Sequence, residues 1–326
     1  MTHALLRASL ALASVAIGTT SVLVPTGARE VAVAAPTTTT PSSTAGWTRA
    51  VPPQHTVLRA TFDDTRRGPV DPASFNARVG KTNTDRAAFA GMVYRKDYRG
   101  SGNVVRTTLS KGKTIHSRGP GRGNVLMVKL PGSHDSACMS YDVRFAGQTT
   151  TSGSTVRSGP VDFSAGGKLP GFVGVAPGTS PSATEGGRRS AHGWSGRLMW
   201  LGAKTWKPVR QAKTPNLVVT YLYHPGQRHN YGDNVYWKAS SFRPNVWHTV
   251  RQCHAMNTIG RSDGVLQTWF DGHLVLDQRD VVYRTDPAVH ITHFDWSIFR
   301  GGDGAALWAG THTSYVDMDN LQITVG

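Results

Sequence analysis

The sequence predicts an all-β chain folded as a two-sheet antiparallel sandwich, and three observations predict it. Turn-forming residues are plentiful, with 36 Gly and 18 Pro in 326 residues. No long stretch carries apolar residues at the three- and four-residue spacing of an amphipathic helix. Several runs instead alternate, or collect β-branched and aromatic residues, between turn signals.

In chain order these runs are Val125 to Leu130, Cys138 to Phe145, Leu217 to Tyr223, Trp247 to Met256, Val265 to Phe270 and Tyr315 to Val325. Thr61-Phe62-Asp63 fits an outer strand ahead of them. In Trp269-Phe270-Asp271-Gly272-His273 a strand runs into a tight Asp-Gly turn, and Leu274 to Leu276 return from it. Such a hairpin is typical of concanavalin-like sandwiches, though a hairpin alone carries little function. So many strands in one domain require two sheets.

Residues 1–35 read as an export signal. Arg7 supplies a thin positive region, Ala8 to Val24 is an apolar run broken by Ser, Gly and Thr, and Ala32-Val33-Ala34 offers small residues for cleavage. Residues 36–51 read as a flexible linker, whose stretch from Pro36 to Gly46 has no apolar residue large enough to bury. One domain is expected over residues 52–326. The protein is therefore expected to be secreted, with no stable membrane association.

Cys138 and Cys253 are the two cysteines, each inside a strand-like run. In an exported chain such a pair favours a disulfide. Neither has a second Cys at metal-ligand spacing, and no His and carboxylate triplet has catalytic-metal spacing, so no metal or cofactor is expected. Asp317 and Asp319 read as structural rather than as a calcium site.

The formal charge is +16, and the positive field draws in anions. An exported protein meets acidic polysaccharides before nucleic acid, so an acidic glycan is the expected partner and nucleic acid is not. Of the twenty acidic residues only Glu30 and Glu185 are Glu. Most Asp sit in turn settings such as Asp63-Asp64 and Asp271-Gly272. A hydrolase built on two facing carboxylates is disfavoured.

Three segments are chemically richer. Gly166-Gly167-Lys168-Leu169-Pro170-Gly171 brackets a Lys on a constrained backbone. In Trp194-Ser195-Gly196-Arg197-Leu198-Met199-Trp200, period two puts Ser195 and Arg197 on one face and Leu198 and Trp200 on the other. Tyr221 and Tyr223 likewise share a face, opposite Leu222. Each segment alone reads as packing or a solvated turn, but together on one concave sheet they suit elimination on a uronate. That reaction must neutralise the sugar carboxylate, remove H5 and protonate O4. Arg suits the carboxylate, and a phenol lowered in pKa by nearby cations can act as base and then as acid, with Lys168 supplying that cation or acting as the base itself. His134, His248 and His254 rank below the tyrosines for that work.

At these residues the chain resembles the alginate and glucuronan lyases of polysaccharide lyase families 14 and 20. The resemblance runs from about Gly123 to the C-terminus and is clearest in Gly167-Lys168-Leu169-Pro170-Gly171, Ser195-Gly196-Arg197-Leu198-Met199-Trp200 and Tyr221-Leu222-Tyr223. It extends to Trp247-His248-Thr249-Val250-Arg251-Gln252 with Asn257, to Trp269-Phe270-Asp271-Gly272, and to Phe299-Arg300-Gly301-Gly302. The resemblance implies a β-jelly-roll with a concave substrate groove and β-elimination on an acidic, uronic acid-containing polysaccharide such as alginate or glucuronan. It implies Lys168, Arg197, Tyr221 and Tyr223 as catalytic residues, with Ser195, Arg197 and Lys168 binding substrate. A monomer is expected. The alternative is a non-catalytic carbohydrate-binding module in which the basic groove and Trp200 grip an acidic glycan.

Overall fold

A computed structural model describes residues 51, 54–82, 86–97, 99–100, 102–152, 155–204, 217–302 and 306–326. The signal expected at residues 1–35, and the linker up to residue 50, lie outside the described residues. The first strands are β1 (His55–Ala60), β2 (Gly68–Pro69), β3 (Met92–Lys96), β4 (Asn103–Leu109), β5 (Asn124–His134) and β6 (Ser136–Gly147), with helix α1 (Pro72–Val79) after β2. Then come β7 (Thr149–Ser152), β8 (Thr155–Ser158), β9 (Gly167–Val175), β10 (Gly193–Leu201), β11 (Leu217–Tyr223) and β12 (Asp233–Ser241). The last are β13 (Trp247–Ala255), β14 (Gly264–Phe270), β15 (His273–Val281), β16 (His290–Arg300) and β17 (Ser314–Val325).

The larger sheet runs β15-β14-β13-β6-β17-β4-β3-β2, with β1 paired to β17. The smaller runs β12-β11-β10-β9-β16-β5, and β7 and β8 form a separate ribbon. All the pairings are antiparallel, and neighbours far apart in sequence, such as β6 with β17, make the sandwich a jelly-roll. Between the sheets, Leu126, Phe172, Trp194, Trp200, Phe294 and Trp296 of the smaller meet Met139, Phe145, Val250, Leu266, Val316 and Ile323 of the larger. Alternation drives this: in β16 Phe294, Trp296 and Ile298 point into the core, while Asp295 and Ser297 lie between them on the other face.

Several elements went unread in the sequence, among them β3, β4, β12, β16 and α1. Strand β16 shows the period-two signal plainly but holds His and Asp among its apolar residues. Helix α1 begins where Asp71 accepts a hydrogen bond from the Ser74 N–H at 2.9 Å, with Pro72 in its first turn. It closes one end of the core, its Phe75 ring packed edge-on against Trp296 and Phe89. Thr61-Phe62-Asp63 follows strand β1 rather than forming one, because Phe62 turns in to pack beside Phe75.

The hairpin between β14 and β15 turns on Asp271 and Gly272, both at positive φ (49° and 80°), as a tight two-residue connection requires. Cys138 and Cys253 stand directly opposite on β6 and β13 and form a disulfide. No helix among the described residues is long and apolar enough to cross a membrane.

Candidate active site

The smaller sheet has one face in the core, and its other face carries the candidate site. Register fixes which residues meet there. Arg197 on β10 pairs with Tyr221 on β11 and with Gly171 on β9, and Gly171 pairs with Asp295 on β16. Ser195 pairs with Tyr223, and Met199 with Lys168.

Lys168 reaches this face through an irregularity. Counting by twos from Gly171 would put it on the core face, yet β9 spends three residues, from Gly171 to Lys168, where β10 spends two, from Arg197 to Met199. The bulge falls at Leu169-Pro170, and Pro170, lacking an N–H, loses no ladder bond there. The Cβ-less Gly171 is also required: a methyl there would sit 2.1 Å from the Gly196 carbonyl oxygen.

Lys168 Nζ lies 4.0 Å from the Tyr221 ring centroid and donates to Met199 Sδ at 3.0 Å. It has no carboxylate partner among the described residues. Burial, with the Arg197 guanidinium alongside, holds its amine well below the ordinary lysine value. The Tyr221 and Tyr223 hydroxyls are 3.5 Å apart, and each accepts a backbone N–H, from Gly232 at 3.1 Å and from Gly187 at 3.0 Å. Burial and the neighbouring phenol push Tyr221 up, so it stays protonated at neutral pH.

Arg197 is buried, and its Nη1 faces Glu185 Oε2 at 3.1 Å and Asp295 Oδ2 at 3.5 Å. Its Nε is buried without a hydrogen-bond partner among the described residues. Asp295 is pushed up to about 6 by burial, against the pull of Arg197 and with the Glu185 carboxylate adding to the rise; Ser297 Oγ donates to it. Ser195 Oγ donates to the Thr184 carbonyl at 2.7 Å. It thus anchors the loop that carries Glu185, and it does not line the cleft.

The cleft has a volume of about 280 Å³ and is lined by Lys168, Arg197, Tyr221 and Tyr223 together with Glu185, Arg188, His116, Tyr231 and Phe299. Four of the five expected residues therefore meet in one cavity. Glu185, Asp295 and His116 were not singled out for the site. Glu185 and His116 arrive on loops, where no periodicity announces them, while Asp295 was legible as a polar residue on the alternating strand β16. The lower-ranked histidines lie elsewhere. His254 is buried in the core, bonded to Tyr283 and Gln252 and held neutral by burial at about 3. His248 pairs with Asp271 at the hairpin, and His134 bonds the Pro131 carbonyl. Trp200 is on the core face, donating to the Ala165 carbonyl, so it cannot grip a glycan in the groove. Among the described residues no group of three or more His, Cys, Asp or Glu is placed to hold a metal ion. Asp317 is bound by Arg106 and Arg144, and Asp319 by Arg99.

A jelly-roll whose open sheet face gathers an amine, a guanidinium and two phenols in one cleft has the architecture of a polysaccharide lyase. The polysaccharide lyase 14 family model matches residues 99–321, and the chain belongs to that family. Among solved structures it is similar to alginate lyase Aly36B, with 22% identity over 84% of this chain and 97% of that one, at a TM-score of 0.62. The marine PL-14 alginate lyase from Aplysia kurodai aligns at 19% identity over 83% and 100%, with a TM-score of 0.67. The endo-β-1,4-glucuronan lyase from the fungus Trichoderma reesei aligns at 11% identity over 83% and 96%, with a TM-score of 0.50. At these identities the likenesses speak for the fold. No curated protein sequence matches the chain.

Proposed function

We propose that this lyase is exported and cleaves a polyuronate, alginate or glucuronan, by β-elimination. One observation carries the reading: a buried lysine amine with no carboxylate partner among the described residues, lying against the face of a phenol that burial keeps protonated. The substrate class is supported by the family and by a substituted form of Aly36B whose structure holds an alginate trisaccharide. Export is supported by the apolar run Ala8 to Val24 and by the Cys138–Cys253 disulfide, which suits an oxidising compartment.

In this mechanism Arg197 faces the uronate carboxylate and lowers the cost of charge building up at C5. The unprotonated Lys168 amine, favoured because burial and Arg197 destabilise its conjugate acid, removes H5 as a proton. The C5–H electron pair becomes the C4=C5 double bond as the C4–O4 bond breaks, and the Tyr221 hydroxyl protonates the departing O4. Tyr223, within 3.5 Å of the Tyr221 hydroxyl, supports the resulting phenolate. Burial raises Tyr221 instead of lowering it, so the base is assigned to Lys168 and the acid to Tyr221.

The test is ultraviolet absorbance of a 4,5-unsaturated uronate when the mature protein is incubated separately with alginate and glucuronan. A rise with either identifies the substrate; binding with no rise on any uronan would overturn the reading.

A further inference from the structure

A second cavity, of about 400 Å³, opens at the β5 edge of the same sheet, lined by Lys129, Ser133, Thr179, His290, Thr292 and His293 among others. It lies on the same face of the sheet as the cleft, with Val173 and Ser195 buried between the two. Lys129 pairs with His293, His293 with Val173, Val173 with Ser195 and Ser195 with Tyr223, so one row of residues crosses the sheet from the second cavity to the phenols. The loop between β9 and β10 stands between the two cavities, with Thr179 and Pro181 on one flank and Glu185 and Arg188 on the other.

The charge at this edge is unbalanced. Residues directly opposite on antiparallel strands hold their side chains in contact range, where like charges are unfavourable and an acid opposite a base is the stable choice. Here Lys129 stands opposite His293. Lys129 is exposed and has no ion pair among the described residues, and His293 is half-buried with Thr292 Oγ1 as its hydrogen-bond partner through Nδ1. The carboxylates close by in the chain are already engaged: Asp135, in the turn after β5, with Arg284 and His290 at 2.8 and 2.9 Å, and Asp295, two residues from His293 on β16, with Arg197 at 3.5 Å. Burial and Lys129 lower the His293 pKa, as expected where a cation and an imidazole share a site with no anion between them.

We propose that Lys129 and His293 form a distal subsite for a carboxylate-bearing sugar, which binds a polyuronate chain beyond the residues being cleaved. This rests on the polyuronate reading of the main cleft. Strands lie about 4.8 Å apart and residues on one face repeat about every 7 Å, so the subsite is more than one sugar unit from Arg197. A chain long enough to reach it gains a second ionic contact at high effective concentration, and a short oligosaccharide does not.

The experiment compares Lys129→Ala, Lys129→Glu and His293→Gln with wild type, using long-chain alginate and glucuronan and an alginate trisaccharide, and reads kcat and KM alongside direct binding by calorimetry. Expected is a KM for the polymer raised roughly fivefold by each neutral substitution and further by the charge reversal, with kcat and the trisaccharide KM unchanged. Equal effects on polymer and trisaccharide, or none on either, would overturn the subsite. If wild type yields no unsaturated product, the lyase mechanism fails, and calorimetry still decides the subsite by whether Lys129→Glu weakens polymer binding.

Discussion

Lys168 Nζ sits 4.0 Å from the centre of the Tyr221 ring, and among the described residues Met199 Sδ alone accepts a hydrogen bond from it. A lysine kept for structure would be expected to meet a carboxylate in so buried a place. This one meets a thioether and an aromatic face.

Lys168→Ala and Tyr221→Phe should each lower kcat by roughly 100- to 10,000-fold, the usual worth of a positioned acid or base. Polymer binding should survive both, because neither substitution removes Arg197. Single-turnover rates and calorimetric affinities measured on the same preparations check this. Full turnover in Lys168→Ala would sink its role as base.

Activity should rise with pH along a limb set by Lys168, because only the unprotonated amine accepts H5. That limb lies below the ordinary lysine range, since burial and Arg197 disfavour the ammonium. Glu185→Gln, which removes a carboxylate from Arg197, should lower KM by roughly fivefold, equivalent to about 1 kcal/mol for a partly exposed ion pair. Glu185 competes there with the substrate carboxylate. A higher KM in this variant would mean that Glu185 holds Arg197 in place instead.

Asp295 makes stability depend on pH with a definite sign. Its folded pKa of about 6 lies above the ordinary carboxylate value of 3.8, so the folded state holds the proton more tightly than the unfolded chain. The stabilisation is complete below the unfolded value and is lost as pH rises through about 6. Urea unfolding from pH 4 to pH 7 should show wild type losing more stability across that window than Asp295→Asn. Parallel curves would refute the assignment.

The Cys138–Cys253 disulfide joins two strands of the larger sheet, while the cleft lies on the smaller. The double substitution Cys138→Ser with Cys253→Ser should lower unfolding free energy by roughly 2–4 kcal/mol through the freed denatured chain. Turnover at low temperature should be unchanged. Denaturant melts and initial rates on one sample measure both.

The sequence by itself determined the fold class, because strand alternation and Asp-Gly turns are local signals that tertiary contacts reinforce. It also determined that Tyr221 and Tyr223 share a face, since a regular strand repeats every two residues. Tertiary structure alone decided three things. Lys168 faces the cleft because a bulge at Leu169-Pro170 shifts its register against β10, a choice made by the partner strand. Ser195, on the cleft face by period, is spent on the Thr184 carbonyl because the loop after β9 folds back over it. Glu185 comes to Arg197 on that same loop. Periodicity describes how a segment alternates, whereas bulges and loop closures are fixed by what the chain meets far along its length.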